Sequence, residues 1–159
     1  MKKLIGIIAI LTIIFIYGCS KQPSSIKAKQ DGKPLIVMYG DFKCPYCKKV
    51  EDKVMPKLRN KYIDKNKVKF QYVNLAFIGK DSIIGSRAQQ AVNHYAPKYS
   101  LQFQKLMFEH QKDEDKKWIT HTLIDKQIDK LNISNKTKDK IKTNYKTKNS
   151  TSWLSLIHI

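Results

Sequence analysis

The 159-residue sequence predicts an α/β (α+β) chain in which one β-α-β unit precedes a run of helices. Residues 34–42 form a nearly continuous apolar run closed by a turn signal, which is how a strand buried on both faces reads. From Cys47 the apolar positions recur at Val50, Val54, Leu58 and Tyr62, a helical spacing. Val68, Phe70 and Tyr72 then alternate with Lys69 and Gln71, the period of a second strand. Residues 80–148 carry helical patterns without a strand. The length suits one domain with a smaller inserted one, and 42% apolar with 28% charged residues excludes a collagenous or low-complexity chain.

The N-terminus reads as an address. A basic start, Met1-Lys2-Lys3, precedes the apolar run Leu4 to Ile16. That run is shorter than the roughly 20 residues a membrane-spanning helix needs, so residues 1–18 are expected to be a secretory signal peptide. Ile16-Tyr17-Gly18-Cys19 resembles the lipobox of bacterial lipoproteins. The resemblance implies that Cys19 is lipidated and anchors the exported chain to the outer face of the cell membrane. The alternative is an ordinary signal peptide with an incidental cysteine. Residues 19–33, almost without apolar content, read as that cysteine and a flexible tether. Export places Cys44 and Cys47 where thiols can stay oxidised.

Lysine and arginine number 31 against 13 acidic residues, a formal charge of +18. Such a surface can attract anionic lipids, wall polymers or acidic proteins. Nucleic acid is not an expected partner: 29 of the 31 cations are Lys, and they are spread along the chain rather than clustered as Arg beside exposed aromatics. With 20 Ile and 8 Asn, the excess reads first as a compositional bias on a solvated surface.

The chemistry lies at Lys43-Cys44-Pro45-Tyr46-Cys47-Lys48-Lys49. Pro45 suits the first turn of a helix, where no amide hydrogen is needed, and Pro56 is expected to kink the later part of the same helix. Cys44 then sits at the helix N-terminus with Cys47 one turn inside. Unpaired amides and the helix dipole favour an anion at Cys44, and Lys43 and Lys48 add positive potential. Each unit of pKa depression is worth about 1.4 kcal/mol toward thiolate, and a thiolate that is easily formed is also a good leaving group. Cys47 is expected to face the sheet as the resolving thiol. A structural zinc site would need four ligands, and neither Cys19 nor His94, His110, His121 and His158 supplies a second pair at ligand spacing. No metal and no other cofactor is expected.

Tyr39-Gly40-Asp41-Phe42-Lys43-Cys44-Pro45-Tyr46-Cys47 resembles the active-site segment of the DsbA family of thioredoxin-fold disulfide oxidases, above all its lipid-anchored Gram-positive members. The resemblance continues through Val73 to Phe77 and Gly79 to Ser82 and fades after about Trp153. It implies a thioredoxin-like fold with an inserted helical domain that shelters the active site. It also implies an oxidase that donates disulfides to reduced or unfolded exported proteins and is itself reoxidised by a quinone-linked or small-molecule partner. On this reading residues 34–79 are the thioredoxin-like β-α-β unit and residues 80–148 the helical insertion.

Within the insertion the patterns predict a helix over Ser86 to Ala96. A second starts at Pro97, with Leu101, Phe103, Leu106, Met107 and Phe108 on its apolar face. Trp118, Leu123, Ile128 and Leu131 mark a third, and Ser134 to Lys146 a polar fourth. The aromatic and Met residues read first as core and second as the lining of a client groove. Residues 149–159 depart from the family, which has a cis-proline loop, two strands and a last helix at this point. They are expected to be a truncated or frameshifted tail, the alternative being a short variant whose tail adds an edge strand. The strand before the motif would then keep one unpaired side, and the polypeptide is expected to be unstable or catalytically poor. Two readings of different kinds follow: an extracytoplasmic thiol–disulfide oxidoreductase using Cys44 and Cys47, or an inert lipoprotein fragment. A reductase or isomerase differs from the first only in redox direction.

Overall fold

The computed structural model describes residues 32–154, so the expected signal peptide, Cys19, most of the tether, and His158 lie outside the described residues. Strand β1 (Leu35–Gly40) pairs in parallel with β2 (Lys69–Asn74), from Leu35 opposite Lys69 to Gly40 opposite Asn74. Among the described residues these two strands make the whole sheet. Helix α1 (Pro45–Lys53) connects them and is interrupted where Pro56 requires it. A short α2 (Met55–Leu58) follows Val54, and a π-turn (Arg59–Ile63) follows that.

The helical region contains α3 (Ser82–Tyr95), a 3₁₀ turn (Pro97–Tyr99), α4 (Ser100–Glu109), α5 (His121–Asp129), α6 (Asn135–Lys146) and a single turn, α7 (Thr151–Leu154). Several boundaries differ from the sequence reading. Helix α3 starts at Ser82 rather than Ser86, directly after a turn in which the Ser82 N–H donates to Gly79 O at 2.9 Å. Trp118 and Ile119 belong to a buried loop instead of a helix, and α5 begins only after Thr120, whose hydroxyl accepts from the Leu123 N–H at 3.2 Å. Ser134 caps α6 in the same manner, accepting from the Thr137 N–H at 3.2 Å. Thr151–Leu154 is helical, so this part of the tail is not an edge strand, and residues 155–159 lie outside the described residues.

One core joins the two regions. Phe42, fully buried in the loop after β1, lies with its ring centroid 5.5 Å from Tyr72 on β2, and 6.3 and 5.3 Å from Phe103 and Phe108 on α4. The predicted apolar face of α4 is therefore core at Phe103, Met107 and Phe108. Replacing Phe42 by Ala is expected to cost about 3–5 kcal/mol, because it empties the junction between sheet and helices. The urea midpoint of the variant measures this, and a loss below about 1 kcal/mol would show that Phe42 is not the keystone of the core.

Candidate active site

The chain turns sharply between β1 and α1, and the turn is built around Asp41. This carboxylate is fully buried. Its Oδ1 accepts from the Lys43 N–H at 2.9 Å and the Ser82 hydroxyl at 2.8 Å, and its Oδ2 from the amides of Phe77 at 3.1 Å and Ile78 at 3.0 Å. Four donors thus satisfy a buried charge and tie the loop after β2 to the start of the motif. The Phe42 amide donates to Asn74 Oδ1 at 2.9 Å, fixing the same turn to the end of β2.

The turn delivers Cys44 to the N-cap of α1, with Pro45 in the first helical turn. Cys44 Sγ accepts from the Cys47 N–H at 3.3 Å, so the sulfur occupies the position of a capping oxygen. Cys44 and Cys47 are both free thiols and partly buried. Cys47 packs against the core under β1, where a Cβ added to Gly40 would meet its Sγ at 2.9 Å and the Tyr72 ring at 3.2 Å. Only glycine lets the helix approach the strand this closely. Burial, followed by the hydrogen bond with Cys44, pushes the Cys47 thiol up to about 11.

The fold places the other predicted residues less uniformly. Tyr46 is exposed beside the pair, with Lys49 Nζ 5.0 Å from its ring centroid. Lys48 is partnered one turn on by Asp52, 3.0 Å away. Lys43 does not act as a free positive neighbour of Cys44. Its ammonium is buried and lies 2.9 Å from Asp81 Oδ1, a carboxylate outside the motif that neutralises it. Asp81 Oδ2 also accepts from the Trp118 amide at 3.0 Å and the Ile119 amide at 3.1 Å. Burial alone would raise the Asp81 carboxyl, but the Lys43 hydrogen bond and the Ile119 and Trp118 amides outweigh it and hold the group below its ordinary range.

Sequence reasoning assigned no role to Asp41, Asp81 or Gln111. Asp41 and Asp81 lie within the stretches that carry the family resemblance, whereas nothing local marks Gln111. Gln111 donates from Nε2 to Phe42 O at 2.6 Å and Cys44 O at 3.0 Å. Deeper in α1, Glu51 is buried and receives Arg59 at 2.7 Å and Gln104 at 2.6 Å. Burial raises its carboxyl above the ordinary range despite both partners. Among the described residues no group of three or more His, Cys, Asp or Glu is placed to hold a metal ion.

A dithiol at the start of a helix that crosses between parallel strands, with helices packed over it, defines the thioredoxin class of folds. The chain belongs to the thioredoxin family, whose sequence profile matches residues 26–156. The disulfide bond formation protein D of Bacillus subtilis is 36% identical over 109 residues, which cover 66% of this chain and 49% of that protein. A probable disulfide bond formation protein D of Bacillus cereus is 38% identical over 96 residues, covering 60% of this chain and 44% of the relative. The chain thus spans about half the length of the curated relatives it matches. Crystal structures agree on the fold: oxidised BdbD from Bacillus subtilis superposes with a TM-score of 0.63 at 32% identity over 74% of this chain and 63% of that one. Chlamydia trachomatis DsbA gives a TM-score of 0.61 at 18% identity, over 79% and 70% of the two chains.

The Lys43–Asp81 pair has a testable signature in pH. Because the folded Asp81 carboxyl is held below its ordinary value of 3.8, its contribution to stability is present above that pH and is lost as pH falls through the folded value. Asp81→Asn is expected to flatten the acid limb of the stability profile. It is also expected to cost about 3–5 kcal/mol at neutral pH, by leaving Lys43 buried without its counter-charge. Urea midpoints across the acid range measure both effects.

Proposed function

We propose that this chain is a thiol–disulfide oxidoreductase that oxidises reduced exported proteins through Cys44 and Cys47. The observation that carries the reading is the N-cap position of Cys44 together with the partly buried, hard-to-ionise Cys47 behind it. The family relatives named for disulfide bond formation support the same chemistry.

In the oxidised state a client thiolate attacks Cys44 Sγ. The Cys44–Cys47 bond breaks, a Cys44–client disulfide forms, and Cys47 leaves and takes up a proton. Burial disfavours the Cys47 thiolate and so its attack back on the mixed disulfide. A second client thiolate then attacks the client sulfur, forms the client disulfide and releases Cys44 as thiolate. The client has lost two electrons and the pair has gained them, so a quinone-linked or small-molecule oxidant must take them off again. Export through residues 1–18 and anchoring at a lipidated Cys19 would place this cycle on the outer face of the cell membrane. Among the described residues no helix is long and apolar enough to cross a membrane.

The oxidised protein is expected to regain native disulfides in a reduced, unfolded client in parallel with its own reduction. Cys44→Ala is expected to abolish this, and Cys47→Ala, challenged with a disulfide-bonded client that its Cys44 thiolate attacks with release of a client thiolate, to accumulate the mixed disulfide, seen as a covalent adduct on non-reducing gels. Equal client oxidation by the Cys44→Ala variant would overturn the reading. In the reduced wild type, alkylation is expected at Cys44 first, with Cys47 modified only at strongly alkaline pH; peptide mass mapping reads the order.

A further inference from the structure

Besides Asp81 and Ser82, a contact that holds the motif from outside the β-α-β unit is made by Gln111, in the loop between α4 and α5. Its Nε2 carries two hydrogens, and the group reaches two carbonyls, Phe42 O at 2.6 Å and Cys44 O at 3.0 Å. These carbonyls belong to the peptide planes on either side of Lys43-Cys44. The far end of the same loop is fastened as well: the Trp118 and Ile119 amides donate to Asp81 Oδ2, whose other oxygen takes the Lys43 ammonium. Segment 111–119 is therefore a strap pinned at both ends to residues 42–44. Between the pins, residues 112–117 are exposed and, with Pro45 and Lys48, wall an open groove of about 870 Å³ beside the redox pair.

We propose that Gln111 is a positioning residue for Cys44, and that through it the helical region sets the reactivity of the thiol. This rests on the redox reading above. The Cys44 sulfur is held against the Cys47 N–H at 3.3 Å by the backbone angles of its own residue, φ −72° and ψ 116°. Those angles are fixed only while the flanking peptide planes are. The plane before Cys44 is held by its own N–H, which donates to Asp41 O at 2.9 Å; Gln111 holds the plane after it through Cys44 O, and the plane before Lys43 through Phe42 O, and brings donor hydrogens, with their partial positive charge, to this stretch of backbone. Losing the clamp leaves Cys44 O to the Lys48 N–H alone, at 3.2 Å, which loosens the plane after Cys44 and weakens the stabilisation of a thiolate. A carboxylate in its place faces two carbonyl oxygens with acceptors only. The charged groups around Cys44 otherwise stay as they are: Asp41, the Lys43–Asp81 and Lys48–Asp52 pairs, and the strap residues 112–117.

The test uses a Cys19→Ser, Cys47→Ala background, in which Cys44 is the one thiol of the three in the sequence. The rate of alkylation by iodoacetamide is followed against pH. Gln111→Leu is expected to move the profile upward by about half a unit, a roughly threefold slower reaction on its acid side, and Gln111→Glu to move it further. Should the Leu variant fail to fold, the nearly isosteric Glu variant carries the test, with circular dichroism confirming its structure. Profiles identical to that of the parent, accompanied by a lower unfolding midpoint, would show that Gln111 only satisfies buried carbonyls and would overturn the inference alone. A parent that itself reacts with the profile of free cysteine would overturn the redox reading and this inference together.

Discussion

A single buried carboxylate organises the site. Asp41 lies where β1 ends, and its charge is tolerable there because four donors converge on its two oxygens. Two of the donors are backbone amides of the loop after β2, one is the amide of Lys43, and one is the hydroxyl that opens α3. Removing any of them would leave part of a buried charge unsatisfied, which is why three separated segments of chain have to meet at this point. The direction in which the chain leaves β1, and with it the position of Cys44, follows from that meeting.

The two cysteines differ because their surroundings differ. Cys44 caps a helix and is reached by an amide hydrogen, whereas Cys47 is pressed under a strand at a glycine that leaves just enough room for its sulfur. The same four-residue motif therefore sets one thiol at a helix N-cap and pushes the other up to about 11. Burial is the larger cause of that asymmetry, and the hydrogen bond between the two residues adds to it.

The helical region is more than a cover. Phe103 and Phe108 complete the aromatic cluster around Phe42, and Gln111, Trp118 and Ile119 bind the motif through backbone atoms and Asp81. The buried Lys43–Asp81 pair sits between the two regions. Taking two charges out of water gives little net stability, whereas removing either partner would leave the other buried without its counter-charge.

The β-α-β unit, the helix start at Pro45, a disturbance at Pro56 (read as a kink, found as a break) and the two cysteines were legible in the sequence because each depends on local rules: apolar period, a missing amide hydrogen, the chain position of a dipole. The capping residues Thr120 and Ser134 act within one turn, yet of the two only the helix start at Ser134 was read correctly. Trp118 was read as part of the third helix, but it lies with Ile119 in a loop whose amides donate to Asp81, a partner more than thirty residues away. Asp41, Asp81 and Gln111 act on groups tens of residues away or through backbone oxygens, and no local pattern encodes such partners. The fate of the Lys43 charge was decided the same way: the sequence by itself put a cation beside Cys44, and only the tertiary structure brought up the carboxylate that neutralises it.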